Sequence, residues 1–191
     1  MTLIEQKREL RRAMLERRAA LGEAERRAAS QALAEMYRQE RPFAARGVVT
    51  GFWPINDELD IRPLMQELAD AGCRLALPVV QGKGKPLVFR AWSPGEPLDA
   101  GVFGTFHPAA DRPALEPDAL LVPLLACDEE GWRVGYGGGF YDRTLRGLRT
   151  RRHVTAVGVA FDAQLISAVP HGADDERLDW LLTDKRACAF V

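Results

Sequence analysis

The chain has 191 residues, of which 47% are apolar and 28% charged, a composition that is typical of a globular protein and argues against wholesale disorder. This length suits one compact core, so we expect residues 1–191 to form a single domain. The net charge of −1 excludes a strong global attraction to nucleic acid or to an anionic membrane, and we expect neither as a partner.

Three further features point to the cytoplasm. No apolar run approaches the roughly 20 residues that span a bilayer, and the first residues carry charges where a signal peptide would be apolar. Cys73, Cys127 and Cys188 lie far apart, without the spacing of a disulfide framework or a zinc site. We therefore expect a cytoplasmic protein.

The first 40 residues predict two helices. Thr2 and Glu5 have the spacing of a capping box, and Leu3, Leu10 and Met14 repeat with helical periodicity. A second, alanine-rich helix is predicted at 23–37.

The periodicity then changes to that of a βαβ unit. Buried strands are predicted at 48–53 and 75–80, with a helix at 61–71 between them. Asp60 is the predicted N-cap of this helix, and Gly72 is its predicted stop. The two strands should be parallel and joined by a right-handed crossover.

Residues 81–118 are rich in glycine and proline, and we interpret them as an inserted β-hairpin region with short strands at 87–92 and 102–106. The apolar run 119–127 predicts one continuous strand that is buried on both faces. A helix at 140–148, a strand at 154–161 and an apolar stretch that ends at Val191 follow. Together these elements predict an α/β fold: a three-layer αβα sandwich with a mostly parallel sheet and an N-terminal helical pair.

The segment from Arg133 to Arg143, with the sequence RVGYGGGFYDR, predicts an anion site. Its glycines can adopt left-handed torsions that turn successive N–H groups to one side, and a helix N-terminus follows them. The segment lacks the GK[ST] of a Walker A loop, and Phe140 stands where a GxGxxG fingerprint needs its third glycine. From the loop alone, a purely structural turn remains an alternative.

The run at 120–145, LLVPLLACDEEGWRVGYGGGFYDRTL, resembles the signature of the 5-formyltetrahydrofolate cyclo-ligase family. Other segments resemble the family in the same order along the chain: KRELR at 7–11, the segment 52–60, GVAF at 158–161, Gln164, and the Val169-Pro170 pair. The family pattern differs at 171–174, where the sequence HGAD lacks the Glu and His that often precede an aspartate.

The resemblance implies an enzyme that uses ATP to cyclise 5-formyltetrahydrofolate to 5,10-methenyltetrahydrofolate, releasing ADP and phosphate through a phosphorylated formyl intermediate. It implies Mg²⁺ as cofactor, with ATP and a reduced folate as small-molecule ligands. We expect a monomer or a weak homo-oligomer. The alternatives are a related ATP-dependent enzyme for another small amide or folate-like substrate, and a non-catalytic nucleotide or folate binder.

The resemblance also assigns site residues. The residues it implies for ATP are Lys7, Arg11, Arg133, Gly135, Gly137, Gly138, Gly139 and Tyr141. Those it implies for the folate are Trp53, Glu58, Tyr136 and Phe140. Asp142 and Asp175 would hold Mg²⁺, with Asp174 as a substitute for Asp175, while Arg133 and Tyr141 would be catalytic. Without the family, Lys7 and Arg11 could simply belong to a solvated basic helix. Asp142 could be an acid favoured in the first turn of a helix, and Trp53 and Phe140 could be core aromatics.

Overall fold

The structure is a computed structural model that describes residues 1–42 and 47–190. The α-helices are α1 (Leu3–Ala19), α2 (Glu23–Glu40), α3 (Arg62–Asp70) and α4 (Phe140–Arg149). The strands are β1 (Val48–Thr50), β2 (Arg74–Val80), β3 (Leu87–Ala91), β4 (Asp99–Ala100), β5 (Phe106–His107), β6 (Ala119–Pro123), β7 (Ala126–Cys127), β8 (Arg133–Val134), β9 (Thr155–Val159), β10 (Trp180–Leu182) and β11 (Ala187–Ala189). Val191, where the last apolar stretch was predicted to end, lies outside the described residues.

The main sheet has seven strands in the order β11-β10-β9-β6-β1-β2-β3. The five inner strands run parallel, and β3 and β11 pair antiparallel at the two edges. β3, one of the two strands predicted for the inserted hairpin region, pairs with β2 and not with residues 102–106. The mostly parallel sheet is therefore confirmed.

Helices cover both faces of this sheet, because its inner strands are apolar on both sides. Val49 and Leu121 pack into a cluster with residues of α2 and α3. Their neighbours Val48 and Leu120 point to the other face and join a cluster that contains Leu145 of α4. This alternation produces the predicted three layers.

The first helix lies apart from these layers. Its predicted capping box is present, with the Glu5 N–H donating to the Thr2 hydroxyl at 3.3 Å and the Thr2 N–H donating to the Glu5 carboxylate at 2.7 Å. Met14 is buried in a small cluster with Leu125 and Val134, whereas Leu3, near the helix start, stays 37% exposed. The helix thus packs beside the β7–β8 pair. Among the described helices, none is both long enough and apolar enough to cross a lipid bilayer.

The prediction of one strand at 119–127 was wrong, because the chain leaves the main sheet after Pro123. The Gln164 amide donates to the carbonyls of Leu124 and Leu125 at 2.8 and 3.0 Å, which satisfies the backbone at the break. β7 then pairs with β8 in a separate two-stranded sheet.

Three shorter predictions need correction. The strand predicted at 48–53 ends at Thr50. Residues 102–104 form one turn of 3-10 helix, and the neighbouring β4 and β5 form a small antiparallel pair. α3 begins at Arg62 with Ile61 at the N-cap, although the Asp60 carboxylate accepts from the Arg62 N–H at 3.0 Å and so still satisfies one N–H of the first turn.

The strand order reverses between β1 and β6. The chain leaves β1 through α3 on one face and leaves β6 through α4 on the other, so the two connections diverge. In an open α/β sheet, a crevice forms beyond the carboxyl ends of the strands at such a point, and ligands bind there.

Candidate active site

A cavity of about 590 Å³ opens beyond the carboxyl ends of β1 and β6. Its wall includes Phe52 after β1 and Pro123 at the end of β6. It brings together every residue that was predicted for the ATP, folate and metal sites: Lys7, Arg11, Trp53, Glu58, Arg133, Gly135, Tyr136, Gly137, Gly138, Gly139, Phe140, Tyr141, Asp142 and Asp175. Residues from distant parts of the chain thus share one chamber.

The glycine loop forms one wall between β8 and α4. Gly137 and Gly139 have φ angles of +99° and +63°, which side chains rarely tolerate, and Gly139 is the N-cap of α4. Within the described residues, the backbone N–H groups of 137–139 donate to no acceptor. Free N–H groups at a helix N-terminus make a site for a phosphate oxygen.

Arg11 fastens this loop to α1. Its Nε donates to the carbonyl of Gly135 at 2.8 Å. Its guanidinium lies so close to Gly137 that a Cβ there would be 3.2 Å from Cζ of Arg11. Because it has no Cβ, Gly137 can adopt this positive φ and also leaves room for the Arg11 guanidinium.

Lys7, one turn earlier on the same face of α1, binds Asp175 through both carboxylate oxygens, at 2.6 and 2.5 Å. Burial alone would raise the pKa of Asp175, but the hydrogen bonds from Lys7 and the Gly172 N–H outweigh it and hold that pKa below its usual value. Asp174 lies outside the cavity, where its 99% exposed side chain pairs with Arg146 at 3.2 Å.

Arg133 and Asp142 form a second ion pair on the cavity wall. The guanidinium of Arg133, only 6% exposed, donates to Oδ1 of Asp142 at 2.9 Å and also to the Glu176 carbonyl. The Glu176 N–H donates to the same Oδ1 at 3.1 Å. The other oxygen of Asp142 accepts no hydrogen bond within the described residues, so it is open to a ligand.

Glu58 places a carboxylate in another part of the cavity wall. Glu58 accepts from the Ile55 N–H at 2.9 Å. Burial raises the pKa of Glu58, while the Ile55 N–H, the Arg18 charge and the Tyr136 hydroxyl oppose this shift. Trp53 stands nearby with its ring edge-on to Trp92, at 6.0 Å between centroids.

Tyr141 stays protonated in this surrounding. Burial and the nearby Glu58 charge raise the pKa of Tyr141 far above its usual value, and Arg133 offsets this only in part. Its hydroxyl is therefore a hydrogen-bond donor and not a base near neutral pH.

Sequence reasoning missed Arg18. This arginine is only 2% exposed, and it donates to the Tyr136 hydroxyl at 2.6 Å. A signal was present, since positions 7, 11, 14 and 18 fall on one helix face and Met14 belongs to the apolar periodicity predicted for this helix. Phe103, Thr105 and Phe106 also line the cavity and were not predicted individually; they lie in the segment whose pattern was least regular.

Comparisons with known proteins identify relatives of this chain. A family model described as the 5-formyltetrahydrofolate cyclo-ligase family matches residues 3–184. The 5-formyltetrahydrofolate cyclo-ligase of Mycolicibacterium smegmatis is 34% identical over 188 residues, which cover 94% of each chain. The enzyme of that name from Escherichia coli K12 is 36% identical over 134 residues, or 68% of this chain and 73% of the relative.

Solved structures give the same result. The 5,10-methenyltetrahydrofolate synthetase of Aquifex aeolicus superposes with a TM-score of 0.79 at 33% identity, covering 96% of this chain and 92% of that one. A protein of the same name from Mycoplasma pneumoniae, 22% identical, shares the fold with a TM-score of 0.71 over 93% of this chain and 98% of its own. The chain belongs to the 5-formyltetrahydrofolate cyclo-ligase family of ATP-dependent enzymes.

Proposed function

We propose that this chain, an ATP-dependent cyclo-ligase, converts 5-formyltetrahydrofolate to 5,10-methenyltetrahydrofolate in the 590 Å³ cavity, through a phosphorylated formyl group. The observation that carries the proposal is that one cavity holds two kinds of site. The glycine loop, with Lys7 and Arg11, offers donors and positive charge for a polyphosphate, whereas Glu58 offers an acceptor among aromatic rings.

ATP would bind with its phosphates against the glycine loop. The N–H groups of 137–139 would donate to phosphate oxygens, with Gly135 and Tyr141 beside them. Lys7 and Arg11 would bring two cations to the same polyphosphate, since the i, i+4 spacing places both on one helix face. Binding would draw Lys7 from Asp175 toward the phosphates.

Mg²⁺ fits the residues at this end of the cavity. The open oxygen of Asp142 and the carboxylate of Asp175 are hard oxygen donors on the cavity wall. Within the described residues, no group of three or more acidic, histidine or cysteine side chains could hold a metal alone. Mg²⁺ does not need one, because it keeps most of its waters and takes one or two carboxylates plus phosphate oxygens. When bound, it would neutralise phosphate charge.

The folate would bind beside Glu58. An ionised Glu58 would accept hydrogen bonds from the amino and ring N–H groups of the pterin, and Trp53, Tyr136 and Phe140 would contact the flat rings. A cavity of about 590 Å³ suits this purpose, since small-molecule sites typically measure roughly 300–1,000 Å³.

The chemistry would need positioning more than a strong base. The formyl oxygen would attack the γ-phosphorus and displace ADP, which turns that oxygen into part of a phosphate leaving group. N10 of the folate would then attack the formyl carbon and lose its proton, and the C–O bond would break to release phosphate. Arg133 would neutralise charge on the transferring group, and the neutral hydroxyl of Tyr141 would donate to one of its oxygens.

We further propose one domain over residues 1–191, a monomer or a weak homo-oligomer, and a cytoplasmic location. The three cysteines are free thiols, which agrees with a reducing compartment.

An absorbance assay tests the proposed function. Purified protein mixed with 5-formyltetrahydrofolate and Mg-ATP should gain the near-ultraviolet absorbance of the methenyl product, with one ADP formed per methenyl group. Omission of ATP should abolish the signal. ATP hydrolysis or binding without a methenyl species would contradict the proposal and favour another amide substrate.

A further inference from the structure

Arg18 has no role in the function proposed above, although its charged side chain is only 2% exposed. A buried guanidinium is costly unless its charge and its N–H groups find partners. Its Nη2 donates to the Tyr136 hydroxyl at 2.6 Å, and its Cζ lies 5.7 Å from the centre of the Tyr136 ring. Its Nε has no partner within the described residues. An apolar side chain would fill this buried position without the cost of burying a charge, so packing alone does not explain an arginine here.

The place of Arg18 on α1 relates it to the other cations of the site. Lys7, Arg11 and Arg18 share one helix face, which the helical rise spreads over about 16 Å. Lys7 binds Asp175 and Arg11 binds the glycine loop, whereas Arg18 reaches Tyr136 on the side of Glu58. Arg18, the last cation of α1, therefore lies on the side of the cavity where we propose that the folate binds.

We propose that Arg18 is a positioning residue for the folate: it fixes the Tyr136 ring over the cavity that Glu58, the acceptor proposed for the pterin, also lines. The inference rests on the proposed role of Glu58 as the folate acceptor. Arg18 itself does not line the cavity, so it acts through these two residues and not by contact with the substrate.

The charges around Glu58 support this role. Arg18 from α1, Tyr136 from the glycine loop and Tyr141 from α4 face it, together with the Ile55 N–H. Burial raises the pKa of Glu58, and Arg18 supplies the positive charge that opposes the rise. Removal of that charge should raise the pKa further, so that Glu58 would lose its proton only at higher pH.

The test is Arg18→Met, which keeps the length of the side chain and removes its charge and donors. The KM for 5-formyltetrahydrofolate should rise about tenfold, while the KM for ATP should change by less than about twofold. The acidic limb of the pH profile of kcat/KM for the folate should move to higher pH, because loss of the Arg18 charge raises the pKa of Glu58. Arg17→Met is the matched control, because Arg17 is the exposed neighbour on the same helix and its loss changes the net charge equally.

Arg18→Lys completes the design and carries the test if Arg18→Met does not fold. It keeps the charge and loses the geometry of the guanidinium, so the acidic limb should stay near wild type while the folate KM alone rises about threefold. Equal increases in the KM for folate and the KM for ATP in the Arg18 variants would overturn the inference. So would Arg18 variants whose folate KM and acidic limb match those of Arg17→Met.

Glu58→Gln separates this inference from the proposed function. A raised folate KM in Glu58→Gln with no effect in the Arg18 variants would overturn the role of Arg18 alone. An unchanged folate KM in Glu58→Gln would overturn the proposed role of Glu58, on which the inference rests.

Discussion

Asp142 shows how much one residue depends on its partners. One of its oxygens is held by Arg133 and by the Glu176 N–H, and the other faces the cavity. An N-terminal acid on a helix is ordinarily explained by the helix dipole. Here the side chain also ties α4 to the segment that carries Asp175, so the two proposed metal-side carboxylates are fixed relative to each other.

Replacement of Asp142 by Asn tests the proposed Mg²⁺ site. The Asn carbonyl oxygen can keep both N–H donors, so the protein should still fold, with a lower melting temperature because the buried Arg133 loses its counter-charge. The amide that replaces the open oxygen cannot bind Mg²⁺, and the Mg²⁺ concentration for half-maximal activity should rise at least about tenfold. A titration of initial rate against Mg²⁺ measures this.

Asp174→Asn is the control for that titration, because Asp174 is an exposed acid next to Asp175 and outside the cavity. It should behave like wild type. Normal turnover of Asp142→Asn at low Mg²⁺ would remove Asp142 from the metal site, and a larger loss in Asp174→Asn would transfer that role to Asp174.

At the scale of elements, the loop between β8 and α4 depends on backbone torsions that only glycine adopts easily. Gly137 sits at φ +99° against Arg11, and Gly139 sits at φ +63° against Arg143. By contrast, Gly147 lies in α4 with nothing within 4 Å of an added Cβ and with no positive φ. The two kinds of glycine should respond oppositely to the same substitution.

Gly137→Ala should weaken ATP binding. The left-handed torsion costs an alanine about 1 kcal/mol or more, and the Cβ would press on Arg11, so the KM for ATP should rise about tenfold. Gly147→Ala should instead stabilise the fold by about 0.5–1 kcal/mol, because alanine is the better helix former. Denaturant unfolding and steady-state kinetics on both variants measure this contrast; equal ATP KM values would contradict the phosphate role of the loop.

Elements were predictable from sequence where their signals are local. The capping box of Thr2 and Glu5 lies within one turn, and Gly72 ends its helix through its own positive φ. The break after Pro123 was missed because Leu124 and Leu125 are as apolar as the strand before them, although a proline inside such a run argues against one continuous central strand. Their carbonyls are satisfied by Gln164, about forty residues later in the chain, and such a contact leaves no local pattern.

At the scale of the whole molecule, the topology decides where the site lies. The reversal between β1 and β6 opens a crevice, and α1 closes one side of it with Lys7 and Arg11. The residues that the family resemblance predicted for the site line one cavity in the fold. The burial of Arg18 could not be predicted in the same way, because it depends on how α1 packs against Tyr136, 118 residues away in the sequence.

The most direct test of the central claim follows the formyl oxygen. The substrate would be prepared with oxygen-18 in its formyl group and converted with unlabelled ATP, and the released phosphate would be analysed by mass spectrometry. If ATP phosphorylates that oxygen, one phosphate should be released for each methenyl group formed, and each phosphate should carry one oxygen-18 atom. Methenyl product accompanied by unlabelled phosphate would contradict a phosphorylated formyl intermediate in this cavity.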